Sequence, residues 1–338
     1  MTQLRFTETE VMAEHDYATP QVVAGQRLHG GFDAAGNYLP PRSLHRPRAI
    51  ENWGEALRSR GGDLLQADAS LLSGLRYPSL AQQKLLLREG LGLTFWNNLT
   101  ITGKIEARGR FLADMTFPEF QDVVTEDVSD MAIAHLNRGL LKAHGLDEGG
   151  EPDRGIGGHD VMWFALRDLA FGAGAYPDVD PPERIGREAG EREAPELPGR
   201  YEELIGFLLN LLLIEFRAEL GFASSQELLR DPDLFSERRA QAEEAAEVVE
   251  RIRIDEEIHV TSLRVYLGEL RSLTFRTTSG GTKSGADVID PLWSRLVHWA
   301  TVEQPKLMAD EQRQMLRTRI LSDPKGERLY PQFERLAD

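Results

Sequence analysis

The chain has 338 residues with 39 basic and 55 acidic side chains, which give a net charge of −16, and it contains no cysteine. The absence of cysteine excludes disulfides, thiolate nucleophiles, iron–sulfur clusters and cysteine-based zinc sites, so any metal must be bound by Asp, Glu and His. The excess of acids argues against binding to nucleic acid through its phosphates. Because the sequence shows neither a signal peptide nor a membrane-spanning apolar run, we expect a cytoplasmic protein without a nucleic-acid or membrane partner.

Residues 1–78 are predicted to form an irregular N-terminal arm that wraps around a helical core. The segment GQRLHGGFDAAGNYLPPRSLHRP is rich in the turn-forming residues Gly, Pro and Asn. We expect a hairpin turn at Ala34–Asn37 and two short helices, at about 48–60 and about 63–73.

The hydrophobic pattern changes at Ser79 to the 3.6-residue period of amphipathic helices, which defines a core domain over 79–275. Within it, the connection 145–199 is rich in Gly, Pro and charge, and carries one amphipathic helix at about 159–171. Four long helices are predicted at about 79–114 (with a break near Gly90–Gly92), 118–144, 200–221 (with a continuation at 224–230) and 236–273.

The order of these helices predicts an all-α fold built around a four-helix bundle. Short loops join the first helix to the second and the third to the fourth, so each pair is an antiparallel hairpin. The second and third helices are joined by a long connection, as in a four-helix bundle that contains one crossover. After the polar break TTSGGTKSG, residues 276–338 are predicted to add C-terminal helices at about 286–302 and about 306–321 that pack on the bundle.

The fourth predicted helix has two ionisable residues on its apolar stripe. Glu256 and His259 lie between Ile252 and Leu263 on this stripe, and a spacing of three residues places both side chains on one face. Burying a carboxylate and an imidazole there is costly unless something neutralises them. We predict that a metal ion does so; the alternative is a solvent-exposed charged face in the run DEEIH.

Comparable residues lie on the inner stripes of the other three helices. Glu215 interrupts LLNLLLIEF, the most apolar run of the chain, and His135 ends the stripe of the second helix. Glu106 lies beside the small residue Gly109 on the first. Each has an alternative without metal: Glu215 as a buried carboxylate paired with an arginine, Glu106 as a surface acid, and His135 as a core histidine bonded to a backbone carbonyl. Four further histidines are expected to be structural or on the surface: His29, His45, His144 and His298.

The five candidate ligands together resemble the pattern of the ferritin-like di-iron carboxylate superfamily. In that superfamily, two helices each supply a Glu and two others each supply a Glu-x-x-His motif, and these ligands hold two metals. The resemblance covers about 80–275 and implies two iron ions, or iron and manganese, bound in a ferritin-like four-helix bundle. The ligands it implies are Glu106, His135, Glu215, Glu256 and His259.

The second helix departs from this pattern, because Ala132 occupies the position three residues before His135 where a Glu is expected. Asp127, Glu219 and His159 are second-tier candidates for the missing ligand. If no acid replaces it, the site would hold one metal rather than two. Carboxylate and imidazole ligands suit iron, manganese or zinc.

The resemblance implies a non-haem, O2-dependent oxidoreductase or oxygenase that acts on a small or medium organic substrate. An electron donor is a further candidate partner, and a homodimer is the default oligomer. Two other classes stay open: a ferroxidase or iron-handling protein, and a metal-free helical interaction protein, which the acidic surface and charged crossover would suit.

Overall fold

The computed structural model describes residues 6–73, 77–181, 183, 187 and 190–337. Helices make up 63% of the described residues and strands 7%, which confirms the predicted helical class. The helices are α1 (Glu8–Val11), α2 (Arg46–Ser59), α3 (Leu80–Arg88), α4 (Leu93–Gly109), α5 (Leu141–Gly149), α6 (His159–Phe171), α7 (Gly199–Arg230), α8 (Arg239–Ser272), α9 (Gly285–His298), α10 (Gln304–Leu321) and α11 (Gly326–Glu334). The strands are β1 (Thr19–Val23), β2 (Gln26–Phe32), β3 (Tyr38–Leu39), β4 (Thr274–Arg276) and β5 (Thr282–Ser284). Parts of the predicted arm and crossover lie outside the described residues: 1–5, 74–76, 182, 184–186, 188 and 189.

Three of the four long predicted helices are present, with changed ends. The first is divided into α3 and α4 at Gly90, whose positive φ of 83° ends α3. The third is the single helix α7, which runs without a break through the predicted gap at 222–223. The fourth is α8, and the predicted crossover helix is α6. The hydrophobic period was sufficient to locate these segments because their apolar faces pack against one another.

The prediction of a long helix over 118–144 is wrong. The chain at Val124 is extended and pairs with Phe275 of β4, and Thr125 donates a backbone hydrogen bond of 2.9 Å to the carbonyl of Thr274. A short 3-10 turn and a distorted helical turn follow, and regular α-helix begins only with α5. Tertiary pairing with β4 therefore replaces the predicted helical hydrogen bonds in this segment.

The N-terminal arm contains a small antiparallel sheet in the order β1–β2–β3. Asp33 accepts hydrogen bonds from the backbone of Ala35 and Asn37 in the turn between β2 and β3, so a turn forms where the hairpin was predicted. The predicted helix at 48–60 is α2, whereas the one at 63–73 is reduced to the 3-10 turn Ala69–Leu72. The sheet lies against the start of α6, because the backbones of His29 and Gly157 are hydrogen bonded at 2.9 Å.

The long helices pack closely in succession, except that α4 and α7 do not pack closely against each other. Helix α4 packs on α6, α6 on α8, and α8 on α7, whereas the backbones of α4 and α7 have almost no close approach. Helix α5 crosses the C-terminal end of α4, where Gly145 allows contact: a Cβ atom there would lie 2.5 Å from the backbone nitrogen of Ala113. This arrangement directs side chains from α4, α5, α6, α7 and α8 toward one interior point.

The C-terminal part adds α9, α10 and α11 to the core, as well as the β4–β5 hairpin in the predicted polar break. Helix α9 packs on α7 and α8, and α11, which the sequence did not predict, packs on α3. Gln82 of α3 donates a hydrogen bond to the carbonyl of Phe333. Within the described part of the chain, no helix combines the length and the apolar character needed to cross a membrane.

Candidate metal centre

Seven ionisable side chains from five helices meet in the interior of the helical core. All are buried except Glu106, which is half-buried. We call them the inner cluster: Glu106 of α4, His144 and Glu148 of α5, His159 of α6, Glu215 of α7, and Glu256 and His259 of α8. They form two groups of four that share one residue.

The first group consists of His144, Glu148, Glu215 and His259, whose potential ligand atoms all lie within 4.8 Å of one another. The Nε2 atom of His144 is 3.0 Å from Oε1 of Glu215, and Nδ1 of His259 is 3.1 Å from Oε1 of Glu148. The two imidazole rings stack, with their centroids 3.8 Å apart. Two carboxylates and two imidazoles can bind one divalent transition metal.

The second group consists of Glu106, Glu148, His159 and Glu256, with the same maximum separation of 4.8 Å. The Nδ1 atom of His159 lies 3.1 Å from Oε1 of Glu256 and 3.6 Å from Oε1 of Glu148. Three carboxylates and one imidazole form a more oxygen-rich set than the first group. Such a set suits iron or manganese.

Glu148 and Glu256 lie between the two groups. Glu148 belongs to both groups, and its Oε1 atom is within 3.6 Å of nitrogens of His144, His159 and His259. The two oxygens of Glu256 face different partners, since Oε1 is near His159 and Oε2 is 3.0 Å from Nδ1 of His259. The geometry therefore offers two adjacent cation positions with carboxylates between them.

Three buried atoms at this point form no hydrogen bond of regular geometry, although they lie within ion-pair distance of one another or of His259: Oε1 of Glu148, Oε1 of Glu256 and Nδ1 of His159. Unpaired buried polar atoms are rare in folded proteins because each costs about 1–3 kcal/mol. Here all three converge on the second group. A cation at that position would bind all of them, so the residues fit a metal.

The carboxylates of the inner cluster have strongly divergent acidities. Burial raises the pKa of Glu106 and that of Glu215 well above the usual range, and the neighbouring carboxylates add to this effect. The pKa of Glu256 falls to about 2, because the histidines beside it outweigh burial and the charge of Glu148. Protons on some of these groups thus balance the charge of the others. A metal would replace those protons.

The histidines also differ from one another. Burial, with the adjacent His259, lowers the pKa of His144 to about 3, so its imidazole is neutral and can act as a ligand. Burial opposes protonation of His159 and His259 too, but the carboxylates Glu148 and Glu256 outweigh it and raise both pKa values. These two imidazoles hold the protons that a metal would displace.

Two aspartates each contact the ring nitrogen of a ligand histidine that faces away from the inner cluster, and so orient the ring. Asp147 Oδ2 is 3.0 Å from Nε2 of His259 and is neutralised by Arg42 and Arg46, each with a 2.6 Å contact. Such a carboxylate behind a histidine fixes the tautomer and ring orientation of a metal ligand.

Asp255 has the corresponding place behind His159, with 3.2 Å between Oδ2 and Nε2. Both aspartates directly precede a glutamate of the inner cluster, Glu148 or Glu256. In each of these Asp–Glu pairs, one on α5 and one on α8, the Glu is a candidate ligand and the Asp orients a histidine from another segment.

Gly109 at the end of α4 makes room for Glu148. A Cβ atom on Gly109 would lie 2.6 Å from Cγ of Glu148, closer than real Cβ contacts occur. The small residue noted beside Glu106 in the sequence thus admits a ligand from α5.

The structure brings together four of the five residues predicted from the sequence, and one second-tier candidate. Glu106, Glu215, Glu256 and His259 all belong to the inner cluster, as does His159. Two residues that the sequence reasoning missed complete it: His144 and Glu148. His144 had been predicted to be structural or on the surface.

The other three predicted residues lie outside the inner cluster. His135 follows the segment that pairs with β4, and its Nδ1 is 2.9 Å from the carbonyl of Met131, while its ring contacts Trp53. Asp127 is exposed and accepts a hydrogen bond from the backbone of Ser129. Glu219 forms a 2.6 Å ion pair with Arg253. These partners explain why the three side chains are directed away from the site.

The sequence contains a pattern that could have identified His144 and Glu148 as candidate ligands. His144 and Glu148 are four residues apart, so both lie on one face of a helix. They occur in LLKAHGLDEGG, where Gly145 and Gly149 are typical of a helix end rather than of a buried helix. In the structure these glycines are sites of close packing.

No protein-family model matches the sequence, and no curated protein or solved structure matches it significantly. The functional argument for this chain therefore depends on the geometry of its own residues.

Replacing Gly109 by Ala tests the position of Glu148. The new methyl group must displace Glu148, so we expect G109A to lose about 1–3 kcal/mol of stability and to bind metal on the order of tenfold more weakly. Thermal unfolding and metal titration measure the two effects.

Gly206 of α7 supplies the matched control, because a Cβ atom there meets nothing within 4 Å. G206A should be as stable as the wild type, or more stable by up to about 1 kcal/mol, with unchanged metal binding. Equal metal affinity in G109A and G206A would contradict the placement of Glu148.

Proposed function

We propose that this protein is a ferritin-like, non-haem dinuclear oxidoreductase that binds two iron ions, or iron and manganese, and uses O2 to oxidise a small or medium organic substrate. The observation that carries the proposal is the pair of four-residue groups that share Glu148 and enclose three buried atoms without a regular hydrogen bond. A charge argument supports it as well. Four carboxylates carry the charge that two divalent cations would balance.

The ligand set supports the family resemblance with one change. Glu106 and Glu215 are single glutamates on two helices, and α8 supplies Glu256-x-x-His259. Helix α5 supplies the remaining pair in the opposite order, His144-x-x-x-Glu148, so it occupies the place of the second Glu-x-x-His motif. The acid absent at Ala132 is thus replaced from a different segment, which favours two metals over one.

The competing interpretation of Glu215 as half of an arginine ion pair has no support in the described residues. Arg264 donates instead to the carbonyl of Leu65, and Arg108 donates to that of Glu183. A near neighbour of Glu215 is the neutral imidazole of His144, 3.0 Å away. Since this partner is neutral, the carboxylate of Glu215 needs a proton or a bound cation.

The bound metals would supply redox chemistry with O2, and the protein residues would determine where that chemistry occurs. Glu148 and Glu256 would keep the two metals adjacent, and Asp147 and Asp255 would hold the ligand histidines in a fixed orientation. Burial of the cluster excludes bulk water, which protects reactive species from side reactions.

The side of the inner cluster toward α4 and α7 is the most suitable approach for a substrate. Glu106 is its half-buried member, and the two helices do not pack closely there. Ile105 and Ile214 directly precede Glu106 and Glu215, Leu211 lies one helical turn before Glu215, and all three are half-buried. An apolar border of this kind favours an organic substrate with a hydrophobic part.

Metal loading tests the ligand assignment with a matched pair of histidines. After anaerobic reconstitution with ferrous iron, we expect close to two iron ions per chain in the wild type and in His135→Ala. His144→Ala removes a ligand from the first group only, so it should retain about one. Elemental analysis after desalting gives these contents. Equal loss of iron in both variants, or none in either, would contradict the assignment.

Consumption of O2 tests whether the bound iron undergoes repeated redox turnover. With excess reductant, we expect the iron-loaded wild type to consume O2 well beyond the amount that its bound iron can reduce, and Glu148→Gln to consume it about a hundredfold more slowly because both metal positions lose a ligand. An oxygen electrode records the uptake. Uptake that stops after a single oxidation of the bound iron, despite the reductant, would contradict a redox-cycling centre.

A further inference from the structure

The N-terminal sheet brings a third histidine to the outer side of His159. His29 of β2 is 3% exposed, and His159 and Asp255 are fully buried beside it. Potential ligand atoms of these three residues lie within 4.8 Å of one another, and we call them the outer triad. The hydrogen bond from the backbone of His29 to Gly157 holds β2 in this place.

Several polar atoms of the outer triad form no regular hydrogen bond. Nδ1 of His29 and Oδ1 of Asp255 have no hydrogen-bond partner, and Nε2 of His29 lies 3.3 Å from Oδ2 of Asp255 without regular hydrogen-bond geometry. Leaving buried polar atoms unpaired is costly. Both side chains therefore have atoms free to bind a further partner.

A comparison of the two supporting aspartates indicates that this partner is a cation. Asp147 is paired with Arg42 and Arg46, so its charge is compensated. Asp255 has an equivalent position behind a ligand histidine, but in the described residues no Lys or Arg forms an ion pair with it; its contacts are with His29, His159 and Tyr38. A buried carboxylate requires compensation. In the described residues the only such compensation for Asp255 is a proton on a neighbouring imidazole, which a bound cation would replace.

We propose that the outer triad binds an additional divalent transition-metal ion through His29, Asp255 and Nε2 of His159. His159, deprotonated to an imidazolate, would then bridge this ion and the inner cluster, because its Nδ1 faces Glu148 and Glu256. The hydroxyl of Tyr38, 2.9 Å from Oδ2 of Asp255, offers an oxygen as a fourth ligand. Two imidazoles with oxygen ligands are a set that zinc binds well.

The additional metal fastens the N-terminal arm to the helical core. His29 belongs to β2, whereas His159 and Asp255 belong to α6 and α8. One ion thereby links three segments that are distant in sequence. A ligand that binds only the folded state raises its stability. This inference does not rest on the oxidoreductase activity, since the outer triad has its own ligand atoms.

Zinc titration tests the proposal on the full chain after removal of metals with a chelator. We expect close to three zinc ions per chain in the wild type and close to two in His29→Ala and His29→Gln. Glu148→Gln disrupts the inner cluster and should retain the outer ion. His15, elsewhere on the same arm, is bonded to Ser43 and serves as control, so His15→Ala should still bind three.

Anomalous diffraction at the zinc edge from the wild type locates the ion without any variant. A peak between His29, His159 and Asp255 is the expected result; its absence, or equal zinc contents in the wild type and both His29 variants, overturns the proposal. Two zinc ions confined to the inner cluster would leave the proposed function intact while refuting the outer site. A single zinc ion at the outer triad would support the outer site and contradict the proposed dinuclear function.

Discussion

The burial of several carboxylates at one point is the constraint on which the rest of this structure depends. Glu148, Glu215 and Glu256 are at most 7% exposed, and in the described residues none of them forms an ion pair with Lys or Arg. Moving a charge from water into a protein interior costs several kcal/mol even after relaxation. Protonation or bound cations must offset that cost. The arrangement of groups around shared Glu148 favours cations, because one metal ion can bind several carboxylate oxygens and imidazole nitrogens at once.

Supporting residues give this centre its shape. Asp147 and Asp255 each occupy the position behind a ligand histidine, and each is held in turn by residues of the N-terminal arm, namely Arg42 and Arg46 for one and Tyr38 for the other. The arm is therefore more than a cover for the helices. It determines how the histidines of α6 and α8 are oriented, which explains why a helical core carries a sheet at this side.

The sequence predicted those parts of the fold and site that depend on local periodicity. Glu215 and Glu256 were found because each interrupts a long apolar stripe on a helix that forms as expected. His135 was chosen and Glu148 missed for one reason: the segment before α5 pairs with β4, a long-range contact that a helical period cannot reveal. The outer triad likewise depends on how β2 meets α6, and nothing local to His29 indicates it.

Anomalous diffraction at the iron edge tests the central claim most directly. Crystals of the protein loaded anaerobically with ferrous iron should show one peak between His144, Glu215 and His259 and another between Glu106, His159 and Glu256, with Glu148 between the two peaks. A single peak in only one of these groups would contradict the dinuclear account. Their complete absence, in protein that is folded and exposed to excess iron, would contradict a metal centre of any kind.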